Sequence, residues 1–135
     1  MPSENVELVR SIQLGDGFDL VPLIRDDQAC GWWGDAFGRS FDPRFQFTMR
    51  TPGRAPATYS GLDGLRDGLR DWLEHWTSYY EEIELVVDSG ERVVLVHRCH
   101  GRLREDGPRV THQSVTVWTV RDRRITSLEL RTPPS

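Results

Sequence analysis

Arg92-Val93-Val94-Leu95-Val96-His97-Arg98-Cys99-His100-Gly101-Arg102-Leu103-Arg104 runs, through Glu105-Asp106-Gly107-Pro108, into Arg109-Val110-Thr111-His112-Gln113-Ser114-Val115-Thr116-Val117-Trp118-Thr119-Val120. Both runs are rich in β-branched residues and alternate with a period of two, as half-buried strands must. Asp106-Gly107 between them is a turn signal. If Arg104 faces Arg109, His97 lies opposite Thr116, Cys99 opposite Ser114, Gly101 opposite His112, and Leu95 opposite Trp118. These eight share one face. The other face carries Arg98, His100, Arg102 and Arg104 against Val117, Thr111 and Arg109, and unpaired arginines are costly to bury. The first face is therefore expected to turn toward the helices, and the second outward.

Working outward, further strands are expected over Ile83 to Val87 and Ile125 to Arg131, with turns at Asp88-Ser89-Gly90 and Asp122-Arg123. Upstream of Glu82 the period becomes helical. Leu62, Leu65, Leu69, Trp72, Trp76 and Tyr80 recur every three or four residues, which predicts one long helix from Ser60 to about Tyr80. Ser60 with Asp63 resembles a capping box at its start. Asp63, Arg66, Asp67, Arg70, Asp71 and Glu74 fall on the solvated side of that helix. Phe41 to Met49 reads as a strand with Phe45 and Phe47 on one face, and residues 50–60 as a loop or loose hairpin. Ser3 can cap a first helix to about Leu14, stopped by Gly15-Asp16-Gly17. Asp19 can cap a second, with Pro22 tolerated in its first turn. Gln28 to Phe37 reads as a third. Helices followed by a strand meander make an α+β domain.

The 135 residues suit one domain spanning 1–135, and the net charge of -4 argues against nucleic-acid binding. The first residues hold no uninterrupted apolar stretch of signal-peptide kind, and no segment nears the roughly 20 apolar residues that cross a bilayer. A cytoplasmic location and no membrane partner are expected. All 17 basic residues are arginine, so a lysine Schiff base and a Walker-type phosphate loop are both excluded. Cys30 and Cys99 match no metal-ligand spacing and are expected as free thiols, although one disulfide is possible. Four scattered histidines define no metal site. No cofactor is expected.

Glu4-Asn5-Val6-Glu7-Leu8-Val9-Arg10, Tyr59-Ser60-Gly61-Leu62-Asp63-Gly64 leading into Trp72-Leu73, Asp88-Ser89-Gly90-Glu91-Arg92-Val93-Val94, and Val117-Trp118-Thr119-Val120-Arg121-Asp122 together resemble the SnoaL-like group of the nuclear transport factor 2-like superfamily. The resemblance implies a cone. A strongly curved, antiparallel to mixed sheet is packed by three to four helices and encloses a pocket for a small apolar or aromatic molecule. It also implies a homodimer. The group spans ketosteroid isomerases, polyketide cyclases, epoxide hydrolases, dehydratases and domains that only bind, so the function must come from the site. Where the isomerase has its proton-donating aspartate this chain has Thr116, and its general base falls at or near Thr48. Threonines cannot do that work at neutral pH, so isomerisation by that route is not expected.

His97 remains as a candidate general acid or base beside Thr116, with Asp42 or Asp35 to orient it. Equally, it is a histidine satisfied by the Thr116 hydroxyl. Cys99, Ser114 and Trp118 share its face and are candidate ligand contacts. Trp32, Trp33, Phe37, Trp72 and Trp76 complete the candidate ligand-binding set, most of them core and one or two lining the pocket mouth. Adjacent Trp32 and Trp33 cannot both face one core, so one of them should turn to the pocket or to a subunit interface. Three functions stay open: a binding module, a cofactor-free cyclase, isomerase or dehydratase using His97, and a structural partner domain whose pocket is filled by side chains.

Overall fold

The computed structural model describes residues 3–14 and 18–132. Helices α1 (Glu4–Ser11), α2 (Leu20–Arg25) and α3 (Asp27–Phe37) precede strands β1 (Phe41–Arg50) and β2 (Ala57–Ser60). Helix α4 (Gly61–Trp72) leads into β3 (Ser78–Ser89), β4 (Arg92–Arg102), β5 (Val110–Arg121) and β6 (Arg124–Arg131). One mixed sheet runs in the order β2-β1-β6-β5-β4-β3. Only the β1–β6 pair is parallel, which gives the expected α+β class.

Local chemistry sets the helix ends. Ser3 Oγ accepts from the Val6 amide at 3.2 Å, and Val6, Val9 and Ile12 are buried. Helix α1 stops at Ser11, short of the expected Leu14, where the Ser11 hydroxyl and the Gln13 amide take the Leu8 and Val9 carbonyls. The expected stop at 15–17 lies outside the described residues. Asp19 caps α2 through the Val21 amide at 3.0 Å and also accepts from the Tyr79 amide at 3.0 Å, so one carboxylate ties α2 to the edge strand β3.

The long helix expected to Tyr80 ends at Trp72 instead. Arg25 Nη2 donates to the carbonyls of Leu73, Glu74 and Trp76 at 3.4, 3.2 and 3.0 Å, occupying acceptors that a continuing helix would need. Trp76 then lies flat against Gly101, where an added Cβ would come within 2.5 Å of the indole. Neither is the capping box formed, because the Ser60 side chain makes no cap hydrogen bond and the chain turns into α4 through Gly61 at φ 72°. Strand β3 consequently begins at Ser78, well before the expected Ile83. Its residues Tyr79, Glu81 and Ile83 face inward until a bulge between Ile83 and Leu85 reverses the parity.

The β4–β5 register is corrected by two positions. His97 pairs with Ser114, Cys99 with His112, Gly101 with Val110, and Leu95 with Thr116. The strands part at Arg102 and Val110, and the intervening loop is closed by Arg102 Nη1 on the Gly107 carbonyl at 2.7 Å. A slip of two preserves which face each side chain occupies. His97 and Thr116 therefore stay on one face as diagonal neighbours, and Arg98 points outward to Glu84 at 2.8 Å.

The inner face carries Phe45, Phe47, Val93, Leu95, Val120, Ile125, Leu128 and Leu130, covered by α1 and α4. A smaller cluster of Val21, Ile24, Leu73, Tyr79 and Cys99 closes the end beneath α2.

Candidate functional site

Between the inner sheet face and the helices lies a cavity of about 530 Å³. Leu20 and Leu23 from α2, Trp33 from α3, and Leu65, Leu69 and Trp72 from α4 form much of its wall. Its rim holds Asp27, Asp35, Asp63 and Arg66, with the Asp27 and Asp63 side chains 84% and 91% exposed. Its deep end is polar: Glu81 from β3, His97 from β4, and Thr116 with Trp118 from β5.

These four groups touch one another. Trp118 Nε1 donates to Thr116 Oγ1 at 2.8 Å, and Thr116 Oγ1 lies 2.9 Å from His97 Nε2. His97 Nδ1 is 3.4 Å from Glu81 Oε2, outside hydrogen-bond alignment, and is a buried nitrogen with no bonding partner among the described residues. Behind Glu81, Cys99 Sγ approaches Oε2 at 3.8 Å and Ser114 Oγ at 3.3 Å.

Burial pushes the Glu81 carboxyl up to about 7, against a small opposing effect of the Cys99 thiol. Its side chain keeps 23% of its surface, but that surface opens on the cavity rather than on bulk water, so the carboxyl behaves as a buried one. Burial holds His97 down to about 4. At neutral pH the imidazole is therefore uncharged and the carboxyl is near half-protonation, so the contact is no ion pair. Burial likewise raises the Cys99 thiol to about 11, which makes it inert as a nucleophile.

The structure sorts the candidate residues by position. His97, Thr116 and Trp118 lie at the deep end, Trp33 and Trp72 in the wall, and Asp35 at the rim. Of the tryptophan pair, Trp33 turns inward onto Phe37 and Phe41, while Trp32 stands 64% exposed outside the cavity. Phe37 packs at the core margin and does not line the cavity. Trp76, displaced by the early end of α4, packs on Tyr79 and His112. Cys99 and Ser114 are buried behind Glu81 instead of lining the wall.

Asp42 does not orient His97. Its carboxylate accepts from the Arg44 amide at 2.8 Å, and Asp42 is not among the residues that line the cavity. Thr48 also points away, within 3.2 Å of Thr58 Oγ1 on the outer face. His112 meets the Tyr79 hydroxyl at 3.1 Å, His75 is exposed beyond α4, and His100 lies outward against Thr111. Glu81 is the acid beside His97. The alternation Tyr79, Glu81, Ile83 was the signal for it, hidden while those residues were read as the end of a helix and its exit.

Cys30 and Cys99 are free thiols. Among the described residues, no three His, Cys, Asp or Glu side chains gather as a metal site. No helix among them is long and apolar enough to cross a membrane.

A SnoaL-like domain family model matches residues 31–128, most of the chain. The chain belongs to the SnoaL-like domain family. Its fold is similar to TerC co-crystallised with polyporic acid, at 18% identity and a TM-score of 0.69 over 97% of this chain and 92% of that one. A nuclear transport factor 2-like protein from Burkholderia thailandensis is similar at 23% identity and TM-score 0.66, over 98% of this chain and 92% of the other. A ketosteroid isomerase-like protein from Catenulispora acidiphila, in complex with trimethylamine, is similar at 17% identity and TM-score 0.58, over 71% and 72% of the two chains. No curated protein matches the sequence. At such identities the structural likeness establishes the SnoaL-like fold alone.

Proposed function

We propose that this SnoaL-like domain binds a small, mainly apolar ring compound in the cavity, with the compound's polar group at Glu81 and His97. The observation that carries this reading is a cavity of about 530 Å³ with aliphatic and aromatic walls and a single polar cluster at its deep end. Cavities of this size and character suit small organic ligands. The structural likeness to TerC, crystallised with polyporic acid, supports the same reading. Trp33, Trp72 and Trp118 line the cavity, so their emission reports occupancy. Titration with polyporic acid and with naphthalene-sized ring compounds is expected to give saturable quenching. Leu69→Trp, which fills the cavity, should weaken it by tenfold or more; unchanged quenching in that variant would place the ligand elsewhere.

The Glu81 carboxyl poised near 7 favours a second, catalytic reading. A group titrating near working pH moves protons efficiently, and with His97 beside it Glu81 suits cofactor-free isomerisation, cyclisation or dehydration. Glu81→Gln, which keeps a hydrogen-bonding group in the same place, should then lose turnover by about 10²-fold or more, a larger loss than its change in ligand affinity.

The outer sheet face supports a homodimer. Leu85 and Val87 of β3, Val96 and Val94 of β4, and Val115 and Val117 of β5 lie side by side there. Leu85 and Val87 are 54% and 40% exposed. A contiguous aliphatic block of this kind on an open sheet face is typical of an interface, and a second copy presents the same block.

A further inference from the structure

Hydrogen bonding at the deep end of the cavity runs in one direction. Trp118 Nε1 can only donate, and it donates to Thr116 Oγ1 at 2.8 Å. A hydroxyl that accepts there still has its own proton to place, and the acceptor within reach among the described residues is His97 Nε2 at 2.9 Å. With the Thr116 proton directed to that nitrogen, His97 carries its ring proton on Nδ1. That nitrogen is buried and lacks an aligned partner, and its nearest oxygen is Glu81 Oε2 at 3.4 Å. Cys99 Sγ approaches the same Oε2 at 3.8 Å, with Ser114 Oγ behind the sulfur at 3.3 Å. In that tautomer the Nδ1 proton and the Cys99 thiol both lie on the side of Oε2. Glu81 Oε1 has no protein hydrogen-bond partner among the described residues, and the Glu81 side chain lines the cavity.

From this arrangement we infer that Thr116 and Trp118 are positioning residues which, through His97, leave the Glu81 proton on the oxygen facing the cavity, so that the site takes a neutral ring compound by its carbonyl oxygen. The inference rests on the reading of the cavity as a ligand site and adds the chemical class of the ligand. In the opposite tautomer, His97 would turn the Nδ1 lone pair toward Glu81, draw the carboxyl proton to Oε2, and leave the Thr116 proton without an acceptor. The cavity would then meet a bare carbonyl oxygen of Glu81 and select a donor such as an alcohol or an ammonium group. The Thr116 hydroxyl decides between the two.

Three ligands of one shape separate these cases: 1-tetralone, tetralin and 1-aminotetralin, each titrated by tryptophan emission at pH 6. The inference expects 1-tetralone to bind about tenfold tighter than tetralin, the range of one well-made hydrogen bond, and 1-aminotetralin to bind more weakly than either. Thr116→Val should abolish the preference for the ketone, bringing the ratio of the two affinities to about one, and Thr116→Ser should restore it. Nitrogen-15 spectra of the His97 imidazole in the ligand-free protein should show the proton on Nδ1. Equal binding of 1-tetralone and tetralin, tighter binding of 1-aminotetralin, or a proton found on Nε2 overturns the inference and leaves the cavity as a ligand site. Failure of all three compounds to bind overturns the ligand class together with the reading beneath it.

Discussion

Glu81 is the side chain in which local chemistry and burial conflict. Its carboxyl holds its proton to about 7 in the fold and loses it near 4.5 in the unfolded chain. Between those values the folded state binds more protons, so stability falls as pH rises from about 4.5 to 7 and levels off above. The shift corresponds to about 3 kcal/mol. Glu81→Gln should therefore match the wild type near pH 4.5 and exceed it by up to about 3 kcal/mol at pH 8, read from urea denaturation at both pH values. A constant difference across that range would mean that Glu81 is not held protonated. The titratable groups against Glu81 are His97, Cys99 and Tyr79. His97, held down to about 4, has the opposite sign: its contribution is lost as pH falls from 6.5 toward 4. Both proteins retain it, so it largely cancels in the comparison.

At the scale of elements, the cavity depends on how α2 and α4 are fastened to the sheet. Asp19 serves two backbone amides, one at the start of α2 and one on the edge of β3. Asp19→Ala removes both bonds and should cost about 1–2 kcal/mol, measured by thermal or urea unfolding; a change below a few tenths would show the link to be unimportant. Gly68 of α4 sits where a Cβ would come within 2.7 Å of the Phe47 ring and 2.9 Å of Tyr59. Gly68→Ala gains helix propensity but must push α4 off β1, and the expected net is a loss of about 1–3 kcal/mol. An unchanged or higher melting temperature would show that the rings yield. The β4–β5 loop teaches a related point. A tight turn at Asp106-Gly107 was legible in sequence, but Arg102 bonding to the Gly107 carbonyl holds a wider loop and slips the register by two. Parity survived the slip, and with it the placement of His97 and Thr116.

The whole molecule leaves one face of its sheet with an aliphatic block at its centre. If two copies meet there, Val96→Glu places like charges face to face in the middle of the contact and should convert a dimer to a monomer, read by native mass spectrometry. A wild type already at the mass of one chain would remove the homodimer from the reading. Val96→Glu lies on the opposite side of the sheet from the cavity, so tetralone binding should persist unless the cavity itself depends on the partner.

The sequence by itself determined the α+β class, the inward faces of β4 and β5, and the placing of His97 and Thr116 on one face, because a period of two and the cost of burying arginine are local properties. Tertiary structure alone decided that Trp76 leaves the helical stripe for Gly101, that Asp42 turns away, and that Glu81 lies beside His97. The stripe from Leu62 to Tyr80 is equally good as a helix, and only Arg25, distant in sequence, claims the carbonyls that end it. Where the helix stops sets the phase of β3, and that phase carries a carboxyl into an apolar cavity.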